Sequence, residues 1–258
     1  MLVKHLTGGA SKEAATIFNV VPRSYRQMDN NEMVGILRRR FLIKDPDVHD
    51  GMKCKCGQTL DPYGWHLHKC KKYTKFTIRT HEAVKEIISK ALYTGKIHHL
   101  SELCPFKDRS HEASLRRLDL VLLNAKTLYP KTNKGRGLID VTVVNPVTNV
   151  TGWILDGITN HMQLATNTGH AAKTAEQDKR RKYQQLSDEN NMEFIPMAFE
   201  SQGNWGPNSL EVFDSIMKRI DEKNNPNCQR TPNLTIGDYK FLSHFINTHQ
   251  DTLKTHLH

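Results

Sequence analysis

Hydrophobic and polar residues alternate with two different periods along the middle of this 258-residue chain. Apolar residues recur at helical spacing over residues 76–93 and predict an amphipathic helix there. Predominantly apolar runs then predict three strands, at Glu102–Phe106, Leu115–Leu123 and Leu138–Val144. A second helix is predicted from about His161 to Glu189, and a fourth strand over Glu193–Phe199. The predicted core is therefore helix, three strands, helix, strand, an α+β (α/β) arrangement.

Flanking segments complete the predicted organisation. A helix over Glu32–Phe41 precedes the core, and helices over residues 208–221 and Tyr239–Thr252 follow it. Pro196 inside the fourth strand indicates an edge position or a bulge. The pattern divides the chain into an N-terminal helical linker (1–50), a cysteine module (51–72), a core (73–205) and a helical tail (206–258).

Charge favours a polyanionic partner. The chain has 37 Lys and Arg against 27 Asp and Glu, for a net charge of +10. A basic soluble protein without such a partner is the simpler interpretation. The Arg38–Arg40 triplet is equally consistent with a solvated helix end near the C-terminal dipole. The candidate phosphate contacts are Arg38, Arg39, Arg40, Lys71, Lys72, Arg116, Arg117, Arg180 and Arg181.

Cysteine usage indicates a metal rather than disulfides. Three of the five cysteines fall between residues 54 and 70, and the odd total favours a reducing compartment. The module is too short and polar to form a core, so zinc would supply its folding energy. The predicted ligands are Cys54, Cys56, His66 and Cys70. His66 is preferred to His68 because residues four apart share one face of a helical turn.

Chance clustering of free thiols is the alternative to the zinc knuckle. If zinc is bound, its role is expected to be structural, because four protein ligands leave no open coordination position. The chain has no apolar run of signal-peptide length and no segment approaching a membrane span, so we expect an intracellular protein that contacts no membrane.

Two aspartates stand within or beside apolar strands. Asp119 precedes Leu-Val-Leu-Leu, and Asp140 lies inside a β-branched run. A buried carboxylate is costly unless it binds a metal or accepts hydrogen bonds. If residues 115–123 and 138–144 pair as a hairpin, both carboxylates can converge on one Mg²⁺, with the basic helix carrying Lys179 and Lys182 nearby. The simpler interpretation puts each aspartate at a strand end facing solvent.

Several stretches resemble the C-terminal region of non-LTR retrotransposon proteins that carry a restriction-like endonuclease. The resemblance covers roughly residues 30–205. It includes the Cys/Cys/His/Cys element and the histidine-acidic helix start Thr80-His81-Glu82. Further matching segments are Glu32–Leu42, Glu102…Pro105, Arg117-Leu118-Asp119, Asp140–Val143, Ala175…Tyr183 and Phe194…Gly203.

The resemblance implies a PD-(D/E)XK fold and chemistry. Asp119 and Asp140 would bind Mg²⁺, with help from the Val141 carbonyl, and Glu102 would be a further participant. Thr142 stands where the class usually has its lysine, so Lys179 would take that role, with Lys182 as its rival. Leu118 replaces the family proline, which shapes the strand but binds nothing.

The resulting hypothesis is an Mg²⁺-dependent DNA endonuclease with structural zinc and no small-molecule cofactor, nuclear in location. RNA is the alternative nucleic acid. The residues ahead of the knuckle are too few for the family's reverse transcriptase, so we expect a detached or truncated C-terminal piece. A nucleic-acid-binding module whose nuclease has decayed is the main alternative, and a host-coopted interaction protein with only structural zinc is the third.

Overall fold

A computed structural model of the protein describes residues 30–41, 43–63, 66, 70, 72, 74–103, 118–130, 132–146 and 167–224. The α+β class is confirmed, and the order from α2 to β4 is the predicted helix, three strands, helix, strand. The elements in chain order are α1 (Asn30–Arg40), α2 (Thr74–Thr94), β1 (His99–Leu103), β2 (Leu118–Leu122), β3 (Arg136–Val144), α3 (His170–Glu189), β4 (Met192–Glu200) and α4 (Pro207–Asn224).

Several predicted boundaries differ from the observed ones by a few residues, and the starts of the first strand and of the second core helix differ for identifiable reasons. The first strand begins at His99, earlier than predicted, because the chain turns at Lys96, with φ of +52°, and pairs with β2 at once. Helix α3 begins at His170 and not near His161, because Gly169 adopts a left-handed conformation with φ of +74° at its N-cap. Residues 104–106 of the predicted first strand, residues 161–166 and the predicted helix Tyr239–Thr252 lie outside the described residues.

The four strands form one mixed sheet in the order β1-β2-β3-β4. The β1–β2 and β2–β3 pairs are antiparallel, whereas β3 and β4 are parallel and connected through α3. The predicted hairpin pairing of the second and third strands is confirmed. Strand β4 stands at the sheet edge, which agrees with the prediction made from Pro196.

Helices cover both faces of this sheet. On one face α2 and α4 pack with residues such as Ile88, Phe199 and Phe213. On the other face α3 places Tyr183 against Leu138 and Phe194 of the sheet. Helix α4 falls within the predicted tail, yet it packs into the same core as α2. The cysteine module has a separate small cluster of its own.

Candidate metal centres

The β2–β3 hairpin opens beside Asp119. Backbone pairing runs from Leu122↔Gly137 to Leu120↔Ile139. Extending this register by one residue places Asp119 opposite Asp140. Beyond that pair the Val141 N–H donates a 2.6 Å hydrogen bond to Asp119 Oδ2. In an unbroken antiparallel ladder this N–H would donate to a backbone carbonyl of β2, so the Asp119 carboxylate replaces a backbone acceptor here.

Asp140 is the more deeply buried carboxylate, with 7% of its surface exposed. Burial raises its pKa, and the nearby charge of Asp119 raises it further, while Lys179 acts in the opposite direction. Burial alone would also raise the pKa of Asp119. Hydrogen bonds from His81 and the Val141 N–H outweigh that effect and hold the pKa of Asp119 below its usual value.

Helix α3 brings Lys179 to Asp140. Lys179 Nζ lies 2.7 Å from Asp140 Oδ2. Lys182, the rival predicted from the sequence, places its Nζ 4.9 Å from the centroid of the Tyr183 ring. Lys179 and Asp140 therefore come together, and the β2–β3 register places Asp119 opposite Asp140.

Strand β3 carries a second polar side chain beside Asp140. Residues two apart on a strand share a face, so Thr142 lies on the same side of the sheet as Asp140. Thr142 Oγ1 is buried and has no hydrogen-bond partner among the described residues, which is costly. The carboxylates of Asp119 and Asp140 are hard oxygen donors of the kind that Mg²⁺ prefers, and a cation with its water shell would give the Thr142 hydroxyl a partner.

Helix α2 contributes three polar side chains that the sequence analysis did not assign to the centre. His81 Nε2 lies 3.3 Å from Asp119 Oδ2 and 3.1 Å from the Val141 carbonyl oxygen. His81 Nδ1 lies 3.2 Å from Glu82 Oε1, and Glu82 is paired with Lys85. The hydrogen bond with Asp119 is the main cause of the raised pKa of His81.

A sequence signal for these residues exists. His81 and Lys85 fall on the same helical stripe as the fully buried Val84 and Ile88. Lys85 is itself only 8% exposed. Ionisable residues inside the apolar stripe of an amphipathic helix need partners in the core, so they indicate a polar site on the element that the helix covers.

Two buried glutamates hold α3 in place. Glu200 Oε1 accepts hydrogen bonds from the N–H groups of Ala171 and Ala172 in the first turn of α3. Glu176, in the middle of α3, accepts three hydrogen bonds at the start of α4, from Asn208 N, Ser209 N and Ser209 Oγ. Burial raises the pKa of both glutamates. They fix the helix that carries Lys179, and the sequence analysis missed this role.

The four predicted knuckle ligands come together. The ligand atoms of Cys54, Cys56, His66 and Cys70 all lie within 4.8 Å of one another. The Cys54 and Cys70 sulfurs are 3.4 Å apart, and Cys56 Sγ is 3.2 Å from His66 Nε2. Tetrahedral zinc with bonds of about 2.3 Å to sulfur separates its ligands by roughly 3.5–3.8 Å. This Cys₃His cluster could bind zinc.

The local turns of the module explain this convergence. Gly57, with φ of +88°, turns the chain after Cys56, and its N–H donates to the Cys54 carbonyl. Asp61 accepts hydrogen bonds from the N–H groups of Tyr63 and His66, which aims His66 back at the cysteines. His68, the alternative ligand, lies outside the described residues.

The thiols of the knuckle differ electrostatically. Burial raises the pKa of Cys54 to about 11. The backbone N–H of Gln58 holds the pKa of Cys56 below its ordinary value. Zinc binds thiolates, so loading this cluster releases thiol protons, including that of Cys54.

The predicted phosphate contacts are described only in part. Lys72 and Arg181 are exposed, although Arg181 pairs with Asp178 on the same helix. Arg180 donates to Asn208 Oδ1 at 2.9 Å and so links α3 to α4. Arg38 is partly exposed. The side chains of Arg39, Arg40, Glu102, Lys71, Arg116 and Arg117 lie outside the described residues.

None of the described helices combines the length and apolar character that crossing a membrane requires. Compared with protein-family models and with curated proteins, the chain matches none of them. The functional assignment therefore depends on the geometry of the two centres.

Proposed function

We propose that this protein is an Mg²⁺-dependent DNA endonuclease with a restriction-endonuclease-like core and a structural zinc knuckle. One observation carries the proposal: the β2–β3 register places Asp119 opposite Asp140, and Lys179 of the following helix lies 2.7 Å from Asp140. Strand carboxylates can hold a divalent cation and an ammonium group can offset charge on the phosphate, which suits metal-assisted phosphodiester hydrolysis.

Each side chain has a role in that chemistry. Asp119, Asp140 and the Val141 carbonyl would hold the cation. A divalent cation at this position polarises the phosphate and lowers the pKa of its bound water. Lys179 orients the attacking water and offsets the charge that develops on the phosphoryl oxygens. The flanking α2 and α3 helices shield the carboxylates from solvent, which strengthens these electrostatic effects.

The net charge of +10 supports a nucleic-acid substrate, since cationic surfaces bind the phosphate backbone through counterion release. DNA is the proposed polymer, with RNA as the alternative. Within the same proposal we include derivation from a non-LTR retrotransposon protein and a nuclear location, both of which follow from the resemblance of the sequence motifs.

Plasmid nicking tests the proposal. Zinc-loaded protein is incubated with supercoiled plasmid and Mg²⁺, and open-circle product is measured over time. Asp119→Asn and Asp140→Asn are expected to abolish nicking. Lys179→Gln is expected to slow it about 100-fold or more, the usual cost of removing a group that stabilises transition-state charge.

A matched control comes from the same helix as Lys179. Asp188→Asn removes an exposed carboxylate paired with Lys134. This variant is expected to nick at the wild-type rate. If the Asp119 and Asp140 variants retain full activity while zinc content is unchanged, the nicking belongs to a contaminant and the proposal is wrong.

A second candidate is a zinc-containing nucleic-acid-binding module whose nuclease has decayed. Two observations favour it. Within the described part of the chain, the knuckle is the only group of three or more His, Cys, Asp or Glu residues whose ligand atoms lie within 4.8 Å. Thr142 also occupies the position where this nuclease class usually has lysine. Salt-dependent plasmid binding without nicking under any divalent metal would select this candidate.

A further inference from the structure

Helix α3 carries a run of four consecutive cations: Lys179, Arg180, Arg181 and Lys182. Three of the four already have polar partners within the protein. Lys179 Nζ lies 2.7 Å from Asp140 Oδ2, and Arg180 donates to Asn208 Oδ1 at 2.9 Å. Arg181 pairs with Asp178 one turn earlier on the same helix. These three side chains are therefore held by contacts within the fold.

Lys182 has no ion pair and no hydrogen bond with its side chain among the described residues. The side chain is exposed, and its Nζ lies 4.9 Å from the centroid of the Tyr183 ring. Asp178 is the only acidic residue within four positions of Lys182, and it is already paired with Arg181. Contact with an aromatic ring does not neutralise an ammonium group, which has three N–H donors. Lys182 can therefore still bind an anion.

The Tyr183 ring relates Lys182 to the proposed catalytic centre. Lys179 Nζ lies 5.8 Å from the centroid of the same ring, so both ammonium groups lie beside one aromatic side chain. Tyr183 is buried and packs against Leu138 and Phe194 of the sheet, which fixes the ring. Lys182 therefore presents an exposed positive charge about one helical turn from the lysine that the proposed function places at the reacting phosphate.

We propose that Lys182 binds the backbone phosphate next to the one that is cleaved, and that Arg180 and Arg181, although predicted from the sequence, do not contact DNA. This inference rests on the proposed function, because it states how the same centre holds its substrate. Three residues advance a helix by about 4.5 Å. Successive phosphates of one strand advance by about 3.4 Å along duplex DNA. A strand whose reacting phosphate lies at Lys179 therefore has a second phosphate within reach of the Lys182 side chain.

The salt dependence of DNA binding reports how many phosphates the protein contacts. Zinc-loaded protein without Mg²⁺ is titrated into a short fluorescein-labelled DNA duplex between about 50 and 200 mM salt, and fluorescence anisotropy gives the affinity. Lys182→Gln is expected to reduce the slope of log affinity against log salt by about 1, and to weaken binding roughly 5- to 10-fold near 0.1 M salt. Lys182→Arg keeps the charge and should keep the wild-type slope. An unchanged slope in Lys182→Gln overturns the assignment.

Lys173→Gln is the matched control. Lys173 is another exposed cation of α3, and its loss changes the net charge of the protein by the same amount. This variant should keep a slope close to that of wild type. An equal loss of slope in Lys173→Gln or in Arg181→Gln would show that the helix acts as diffuse positive charge, and a specific contact at Lys182 would be wrong.

Nicking kinetics distinguish Lys182 from Lys179. Lys182→Gln is expected to raise the KM for plasmid roughly 5- to 10-fold and to leave kcat nearly unchanged, because it removes a contact made equally before and during the reaction. Lys179→Gln should lower kcat instead. A fall of about 100-fold in kcat for Lys182→Gln would place Lys182 at the reacting phosphate and overturn the assignment.

The binding assay needs no cleavage, so the inference and the proposed function can fail separately. If wild type nicks plasmid, Asp140→Asn does not, and Lys182→Gln keeps the wild-type slope, the nuclease stands and the phosphate contact is wrong. If wild type nicks under no divalent metal but Lys182→Gln loses slope, the proposed nuclease is wrong and Lys182 remains a backbone contact of a binding module.

Discussion

Removing one knuckle ligand should unfold the cysteine module and leave the sheet domain intact. Cys70→Ser takes away a buried thiol that lies 3.4 Å from Cys54. Among the described residues of the module, the buried hydrophobic cluster consists of Cys54, Leu60 and Cys70, and it is separate from both faces of the sheet. Because so small a cluster adds little to the hydrogen bonds of the turns, zinc is expected to decide whether the module folds.

The magnitudes support this expectation. Burial of one leucine and two thiols contributes on the order of 5 kcal/mol at the upper limit of side-chain transfer energies. Zinc binding to small Cys/His sites contributes about 10–16 kcal/mol at neutral pH. The metal is therefore the larger stabilising contribution, and burial alone cannot offset the entropy of ordering the chain from residue 43 onward.

Limited trypsin digestion provides the assay, because Lys53 and Lys55 are exposed within the module. Wild-type protein should bind one zinc ion and resist cleavage there. Cys70→Ser, or wild type with chelator, should be cut at both lysines while a fragment spanning α2 to α4 persists. His49→Gln changes an exposed histidine just before the module and is the control, which should behave as wild type. Resistance of chelated wild type at both lysines would refute the reasoning.

Two further predictions concern stability. In Gly206→Ala the new Cβ would meet Glu176 Oε1 at 2.2 Å, so the unfolding free energy should fall by about 1–3 kcal/mol in denaturant titration. Gly135→Ala, with open space around it, is the control and should change little. The other prediction concerns the His81–Asp119 pair in metal-free solution. The pKa of His81 is raised and the pKa of Asp119 is lowered, so the pair stabilises the fold most between the usual aspartate pKa of 3.8 and the usual histidine pKa of 6.5. The stability difference between wild type and His81→Gln should be largest in that window and shrink as pH rises through the folded-state histidine pKa; a difference independent of pH would contradict it.

The hydrophobic pattern was sufficient for the element order and for the hairpin. Strands β2 and β3 are nearly continuous apolar runs joined by a polar connection without helical periodicity, which favours a hairpin over a parallel crossover. The start of β1 was not predictable in the same way. His99 and Leu100 belong to the sheet because of their partners on β2, and periodicity within five residues cannot show this.

The carboxylates were predictable because charge inside an apolar strand is conspicuous, whereas their partners were not. His81 is 38 positions from Asp119 and 60 from Val141, so no local spacing connects them. Only the packing of α2 on the sheet brings them together. The sequence did carry one indication of this contact. His81 and Lys85 lie on the helical stripe that buries Val84 and Ile88, and ionisable residues there need polar partners across the interface.

Lys179 lies on helix α3 and not on a strand, so its position depends on how that helix is held. A lysine on β3 at position 142 would be aligned by the sheet itself, whereas Lys179 depends on where α3 begins and on how firmly it is held. Glu200 binds the first turn of α3, and Glu176 ties its middle to the start of α4. With both carboxylates buried, small shifts of α3 relative to the sheet are costly. In the proposed nuclease, strand β4 and helix α4 therefore help to position Lys179, although neither carries a reacting group.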